Sequence, residues 1–430
     1  MRALLRRPSS AWHWTLIWLL TVLFAMGFDA AITHTRFLWG ELGSENTLSP
    51  AFAQIAQTYK VARTLFHGPG REAQFHVTLL GDSGIWFAGH PAYVEAAVSR
   101  LDPLLDVRVD NLGIFGALIG DLEVISRNVD RLSPSLVIVT LRPSTLVPGR
   151  SGEFGNIPSH LLDTGWCDGP FPPATWTERL DRWGRTVWPL YRFREFARGA
   201  IEERLFPVAD ARPPLPDHFA SSHAFFEYMH GADGAPIEAA YEAWRRQPTF
   251  ETFIEYLRVA HSGFVGGVVG VPRAGVEVQA GSPGLAILDR LLTRLAAGPW
   301  DSLILLMPEN PLLDGDTSGQ YHQPAIAERG VELIRSAAAS HGVRVVDGRR
   351  WMPAEAFLDL VHLFPDISGF QEPLAKEIID VLRRRVDADA GGGRPARAAL
   401  RAGDHDPGAV RASGEACLHL SGVLSAAVHR

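Results

Sequence analysis

Short strand-like runs of mostly apolar residues alternate along this sequence with stretches of helical periodicity. The runs are Phe75–Leu80, Val107–Val109, Leu136–Val139, Leu303–Met307 and Val343–Val346. Amphipathic patterns over about Ala92–Leu101, Leu118–Leu132 and Ala325–Ser340 lie between or after them, and a last one covers Phe370–Arg385. Strands that alternate with helices are expected to form a parallel sheet joined by crossover helices, so the fold class read from the chain is α/β.

The alternation is interrupted once. Residues 71–145 carry its first part and 296–385 its second, and between them 146–295 reads as a helical insertion or lid. Prolines gather there at Pro170, Pro172, Pro173, Pro213, Pro214 and Pro216, and Trp176–Arg198 and Ile237–His261 look helical. Residues 31–70 form a helical connector. Residues 386–430, rich in Ala, Gly and Arg without periodicity, read as a disordered tail.

At the N-terminus Arg2, Arg6 and Arg7 precede an uncharged stretch of 21 residues, Pro8–Phe28, that ends at Asp29. Trp12, Trp14 and Trp18 sit near its start, where indole rings favour a membrane interface. Residues 1–30 are therefore expected to be an uncleaved single-pass membrane anchor, with a cleaved signal peptide (Ala25-Met26-Gly27 as its site) as the rival. Arginines on the inner side place the rest of the chain outside the cytoplasm, in the periplasm if the membrane is a bacterial-type inner membrane. A formal net charge of −7 argues against nucleic acid as a partner, since a phosphate backbone needs a basic stripe. Cys167 and Cys417 provide neither a disulfide framework nor a metal cluster, and no cofactor is expected.

Three segments carry chemistry. Gly81-Asp82-Ser83 ends the first strand, which puts a serine hydroxyl at the C-terminal edge of the sheet, with its own N–H at the start of the next helix. The bland reading is a turn in which Asp82 and Ser83 only cap that helix. Asp359-Leu360-Val361-His362 lets a carboxylate reach the histidine three residues on, orient its ring and leave Nε2 to accept a serine proton; alternatively Asp359 is a helix cap and His362 a surface residue. Asn111-Leu112-Gly113-Ile114-Phe115-Gly116 follows the second strand, and a glycine there lets a backbone N–H approach an oxyanion, although glycine-rich βα loops are common. His90 and His322 are further polar residues near the sheet edge. A G-x-S-x-G elbow is absent around Ser83.

In that order, GDS, N-x-G-x-x-G and D-x-x-H, the segments resemble the SGNH/GDSL hydrolase superfamily over about residues 74–145 and 300–385. The resemblance implies a flavodoxin-like three-layer α/β/α sandwich, with Ser83 as nucleophile, Asp359 as orienting acid, His362 as general base, and Ser83 and Gly116 as oxyanion donors. The family's third block, G-x-N-D, has no match: Thr140-Leu141-Arg142-Pro143-Ser144-Thr145 stands there, leaving Arg142 or Ser144 as replacement donors. An anchor followed by one external domain is similar to the alginate O-acetylation-type proteins of that superfamily. This implies O-acyl transfer to an envelope or exported polysaccharide, with a multi-span membrane acyltransferase as donor partner. Trp166, Trp176 and Trp183 in the insertion would stack on sugar rings or pack in its core. Two other functions stay open: an anchored carbohydrate or lipid esterase or deacetylase, and a non-catalytic polysaccharide assembly or binding protein.

Overall fold

The computed structural model describes residues 11–34, 57–58, 60–61, 64–65, 72–148, 176–177, 180–181, 184, 188, 191, 218–219, 221–230, 234–259, 278–315, 324–359 and 361–390. All five apolar runs form strands: β1 Phe75–Gly81, β2 Val107–Gly113, β3 Leu136–Leu141, β4 Asp301–Leu306 and β5 Arg344–Asp347. They make one parallel sheet in the order β2-β1-β3-β4-β5. This is the flavodoxin-like order, and it bears out the expected fold class. The order in which strands are added reverses between β1 and β3, and α/β sheets open their ligand crevice at that point.

Helices cover both faces because the strands are apolar on both. On one face Leu80, Leu112, Val137, Val139, Leu141, Ile304 and Leu306 meet Leu122 and Ile125 of a helix spanning Ile119–Ser126. Two longer helices, Pro283–Ala297 and Pro324–Ser340, complete that layer through Leu288, Leu291, Val331 and Ile334. The opposite face buries Val77, Leu79, Ile138, Leu303 and Leu305, and the helix Pro91–Leu101 turns Val94, Ala97 and Val98 inward there. The helix Pro283–Ala297 falls inside the stretch 146–295 read as an insertion, yet its apolar stripe belongs to the core of the sheet.

In chain order, the helices described over their whole range are α1 Ala11–His34, α2 Ser83–Ala88, α3 Pro91–Leu101, α4 Ile119–Ser126, α5 Ser222–His230, α6 Gly234–Arg246, α7 Phe250–Val259, α8 Pro283–Ala297, α9 Pro324–Ser340 and α10 Gln371–Ala390. The single helix expected over 118–132 stops at Ser126, and a 3-10 turn follows at Val129–Leu132. Ser126 Oγ donates to Glu123 O at 2.7 Å, and Asn128 Nδ2 to Val124 O at 3.4 Å. Such side-chain bonds compete with the helical ladder, and Ser133 ends the segment at φ 48°.

Helices α5, α6 and α7 form an aromatic block in which Phe225, Phe226, Tyr241, Trp244, Phe253 and Tyr256 are buried. Helix α1 holds Trp12, Trp14, Trp18, Phe24 and Phe28 exposed. Among the described residues no helix is long and apolar enough to cross a membrane. The chain divides into two compact units, Met1–Ala375 and Lys376–Arg430. The first holds the sheet and everything described below. The described part of the second is the remainder of α10, with an exposed Asp380–Arg384 pair at 3.1 Å. The tail expected over 386–430 starts too early, since residues 386–390 continue α10; 391–430, and the whole connector apart from six residues between 57 and 65 and the end of α1, lie outside the described residues.

Gly81 closes β1 where no side chain fits. A Cβ there would collide with Thr140 Oγ1 and lie 2.7 Å from Ile85 Cγ2, and Thr140 is itself held by its bond to Leu80 O at 3.1 Å. Gly81→Ala should therefore cost about 1–3 kcal/mol of stability. Urea unfolding should show a lower midpoint at an unchanged slope.

Candidate active site

The site grows from the end of β1. Asp82 leaves the strand in extended conformation and caps α2, its Oδ1 accepting from Gly84 N–H at 2.8 Å and its backbone oxygen from Trp86 N–H at 3.2 Å. Ser83 is the first residue of the helix and is partly exposed. Among the described residues its N–H has no hydrogen-bond partner, as is usual for a first-turn donor.

The partner arrives from the loop between β5 and α10. Phe357 and Leu363 form an isolated antiparallel bridge, and Leu358 N–H donates to His362 O at 2.8 Å, closing a short loop around Asp359. Asp359 is fully buried. Its Oδ1 accepts from Val361 N–H at 2.8 Å and His362 N–H at 2.9 Å, and its Oδ2 lies 2.6 Å from His362 Nδ1. His362 Nε2 in turn lies 2.7 Å from Ser83 Oγ. A carboxylate on Nδ1 keeps the proton on that nitrogen and makes Nε2 the acceptor of the serine hydroxyl. Asn310, in the loop after β4, donates its amide to Asp359 O at 3.1 Å, and the Phe87 ring stands 5.0 Å from the imidazole. So the structure brings together all three residues of the expected nucleophile–base–acid set, 279 residues apart in the chain for Ser83 and His362.

Burial alone pushes the Asp359 carboxyl up. The His362 charge and hydrogen bond, with the two backbone N–H groups, outweigh it and hold the carboxyl below the usual range. Asp110, on β2, behaves alike: burial raises it, but bonds to His76 at 2.6 Å and Arg108 at 2.8 Å bring it below its ordinary value. In both cases the unfolded chain binds protons more readily than the folded one, so each contribution is complete above the unfolded value near about 4. Stability should hold from neutrality to about pH 5 and fall as pH drops through that value toward the depressed ones. Denaturant midpoints against pH should show it, with a shallower acid slope in Asp110→Asn.

Arg142, one of the two alternative replacement donors, is turned toward the protein instead. Its guanidinium is buried, with Nη1 2.6 Å from Asp82 Oδ2 and Nη2 donating to Val361 O at 2.8 Å. Both terminal nitrogens are committed to the protein, so Arg142 ties the nucleophile turn to the Asp-x-x-His loop. The tie lies against Gly84, where any Cβ would run into the guanidinium. Ser144 sits exposed on the 3-10 turn Pro143–Leu146 after β3, and no hydrogen bond joins it to the serine among the described residues. Gly116 is exposed at φ 68° in the turn after β2, a conformation that favours glycine.

Asn111, the first residue of the second expected segment, is structural. Its amide donates to Ile85 O at 2.8 Å and Gly89 O at 2.9 Å, tying the end of α2 to β2, and its Oδ1 accepts from Gly113 N–H at 2.8 Å. His90 stands at the start of α3 with its ring 5.2 Å from that of His218. Trp176 is exposed, while Trp166, Trp183 and His322 lie outside the described residues. Reading the sequence missed Asn310, Phe87 and the bridging role of Arg142. The one available signal was charge: an arginine after β3 and an aspartate after β1 sit at the same edge of a parallel sheet.

No protein-family model and no curated protein matches this chain. A solved structure described as LAE5, an alpha/beta hydrolase enzyme from the metagenome of Lake Arreo, Spain, is similar over 72% of this chain and 96% of its own, at 12% identity and a TM-score of 0.31. A likeness that slight carries no argument about this protein.

Proposed function

We propose that this protein is a membrane-tethered, extracytoplasmic serine O-acyltransferase of SGNH type that moves an acetyl group onto an envelope or exported polysaccharide. The observation that carries the reading is the continuous hydrogen-bonded line from Ser83 Oγ through His362 to the buried Asp359. In the first step His362 Nε2 takes the serine proton as Oγ attacks the carbonyl carbon of the donor ester. The Asp359 carboxylate stabilises the imidazolium. The oxyanion that forms is stabilised by the Ser83 N–H, with Gly116 as the second donor implied by the resemblance. The tetrahedral adduct collapses to acyl-Ser83, and His362 returns the proton to the departing alkoxide. A sugar hydroxyl then repeats the sequence in reverse, losing its proton to His362 and releasing the serine. A multi-span membrane acyltransferase supplies the donor ester in this reading. Helix α1, with its exposed tryptophans and phenylalanines, is the tether in this reading.

Hydrolysis is the second reading, favoured by the partial exposure of Ser83, which admits water to an acyl-serine. The deciding experiment supplies a labelled acetyl ester with and without oligosaccharide acceptors. Label on the acceptor supports transfer, whereas label found only as free acetate in the presence of acceptor makes the protein an esterase. Failure of a fluorophosphonate probe to label Ser83 would leave only a non-catalytic binding role.

A further inference from the structure

Beside the nucleophile turn, on the side of the edge strand β2, lies a cavity of about 230 Å³. We propose that it is a subsite for one neutral, hydroxyl-rich ring, a monosaccharide unit of the acceptor. The assignment rests on the acyl-transfer reading for its role, and on the cavity itself for its ligand.

Size comes first. About 230 Å³ is room enough for one sugar ring. Chemistry comes second. The walls include Gln57, Lys60, Thr64, Asp110 and His218, with Trp86 as the aromatic surface. Donors and acceptors are both present, as a polyol requires, and an ammonium stands in the same space as a carboxylate. That carboxylate is fixed in place, with His76 2.6 Å and Arg108 2.8 Å from Asp110. An anionic ligand would meet Asp110 and a cationic one Lys60, whereas a neutral ring uses both. An acyl tail would desolvate all of these groups without replacing their hydrogen bonds.

A third observation concerns the bonding of one wall residue. Gln57 is buried at 1% exposure, and its Oε1 accepts from Phe115 N–H at 2.7 Å. Its Nε2 has no partner among the described residues. A buried amide donor left unpaired costs about 1–3 kcal/mol, which a bonding ligand at this wall would relieve. Position links the cavity to the chemistry. Trp86 lies one helical turn after Ser83, and Gly113, also at the wall, is paired in register with Gly81. A ring seated here belongs to the same chain as a neighbouring sugar that passes Ser83.

The test uses the full chain carrying Ser83→Ala, titrated calorimetrically with maltotriose, cellotriose and chitotriose, and separately with octanoate as the acyl-tail control. Saturable binding of at least one trisaccharide is expected. Thr64→Trp, which fills the cavity, should weaken it at least tenfold, and Lys60→Ala, which leaves the wall intact, roughly tenfold. Equal affinity in both variants, binding of octanoate alone, or no binding of any trisaccharide would overturn the proposal. Serine-probe labelling of the parent protein separates the two layers. Labelled Ser83 without sugar binding removes the subsite and leaves the acyl-serine reading, while sugar binding that responds to both variants without labelling supports the subsite and removes the acyl-serine reading.

Discussion

His362→Ala should slow the reaction of Ser83 with a fluorophosphonate probe by about 10⁴–10⁶-fold, measured as the second-order labelling rate at pH 7.5. With Nε2 2.7 Å from Oγ, the imidazole is the only group the structure places within proton-transfer distance of the hydroxyl among the described residues. Without it the serine reacts as an ordinary alcohol. Asp359→Asn should cost about 10⁴-fold by a different route. The amide would offer N–H to Nδ1, driving the ring proton onto Nε2, so the ring would present a donor where an acceptor is needed. Asp359 Oδ1 also holds the Val361 and His362 N–H groups, so the carboxamide keeps the loop closed only if its oxygen stays on that side. Labelling at the wild-type rate in His362→Ala would end the catalytic reading, whatever the folding state of Asp359→Asn.

Arg142→Ala should be the most damaging substitution that touches none of the three reacting residues. The side chain is buried and bonds at 2.6 Å to Asp82 and 2.8 Å to Val361 O. Removing one partner of a buried ion pair costs about 3–5 kcal/mol, because the remaining charge keeps its desolvation. For a chain of this size that is a loss of roughly 5–15 °C in melting temperature. Activity should fall further than occupancy of the folded state explains, since the turn carrying Ser83 and the loop carrying His362 lose their common tie. Arg142→Lys discriminates between charge and geometry. One ammonium restores the charge opposite Asp82 but lacks the planar fork that also reaches Val361 O, so stability should recover more than turnover. Melting temperatures within a degree of wild type in Arg142→Ala would show that the pair is not a structural tie.

The elements were legible where a local pattern decided them. The central strands β1, β3 and β4 were visible as apolar runs, since a parallel strand covered on both faces needs apolar residues on both, while the edge strands β2 and β5 showed as short valine-rich segments broken by Arg108 and Arg344. Pro91 marks a helix start for an equally local reason, a first-turn N–H that needs no partner, whereas the helix opened by Pro283 went unread inside the expected insertion. The break after Ser126 was harder. Its causes, side chains of Ser126 and Asn128 turning back on the helix, compete closely with a helical periodicity that continues to Leu132.

The site divides along the same line. Ser83 and the Asp359–His362 pair each announced themselves within a few residues, because a strand-end turn and an acid three residues from its histidine are local geometry. Arg142 did not. From the chain it was a substitution in a family pattern, and the side chain reads equally well as pointing at a substrate or at the protein. Its direction was settled by Asp82 lying 60 residues away and Val361 lying 219 away, both brought to one sheet edge by strand order. Gln57, reaching 58 residues to Phe115 N–H to wall a cavity, is another such case. Sequence alone determined the strands, the α/β class and the chemical identity of the reacting groups, because these follow from periodicity and near-neighbour spacing. Only the tertiary structure decided which polar groups are spent on each other, because that depends on distances between segments that no local pattern encodes.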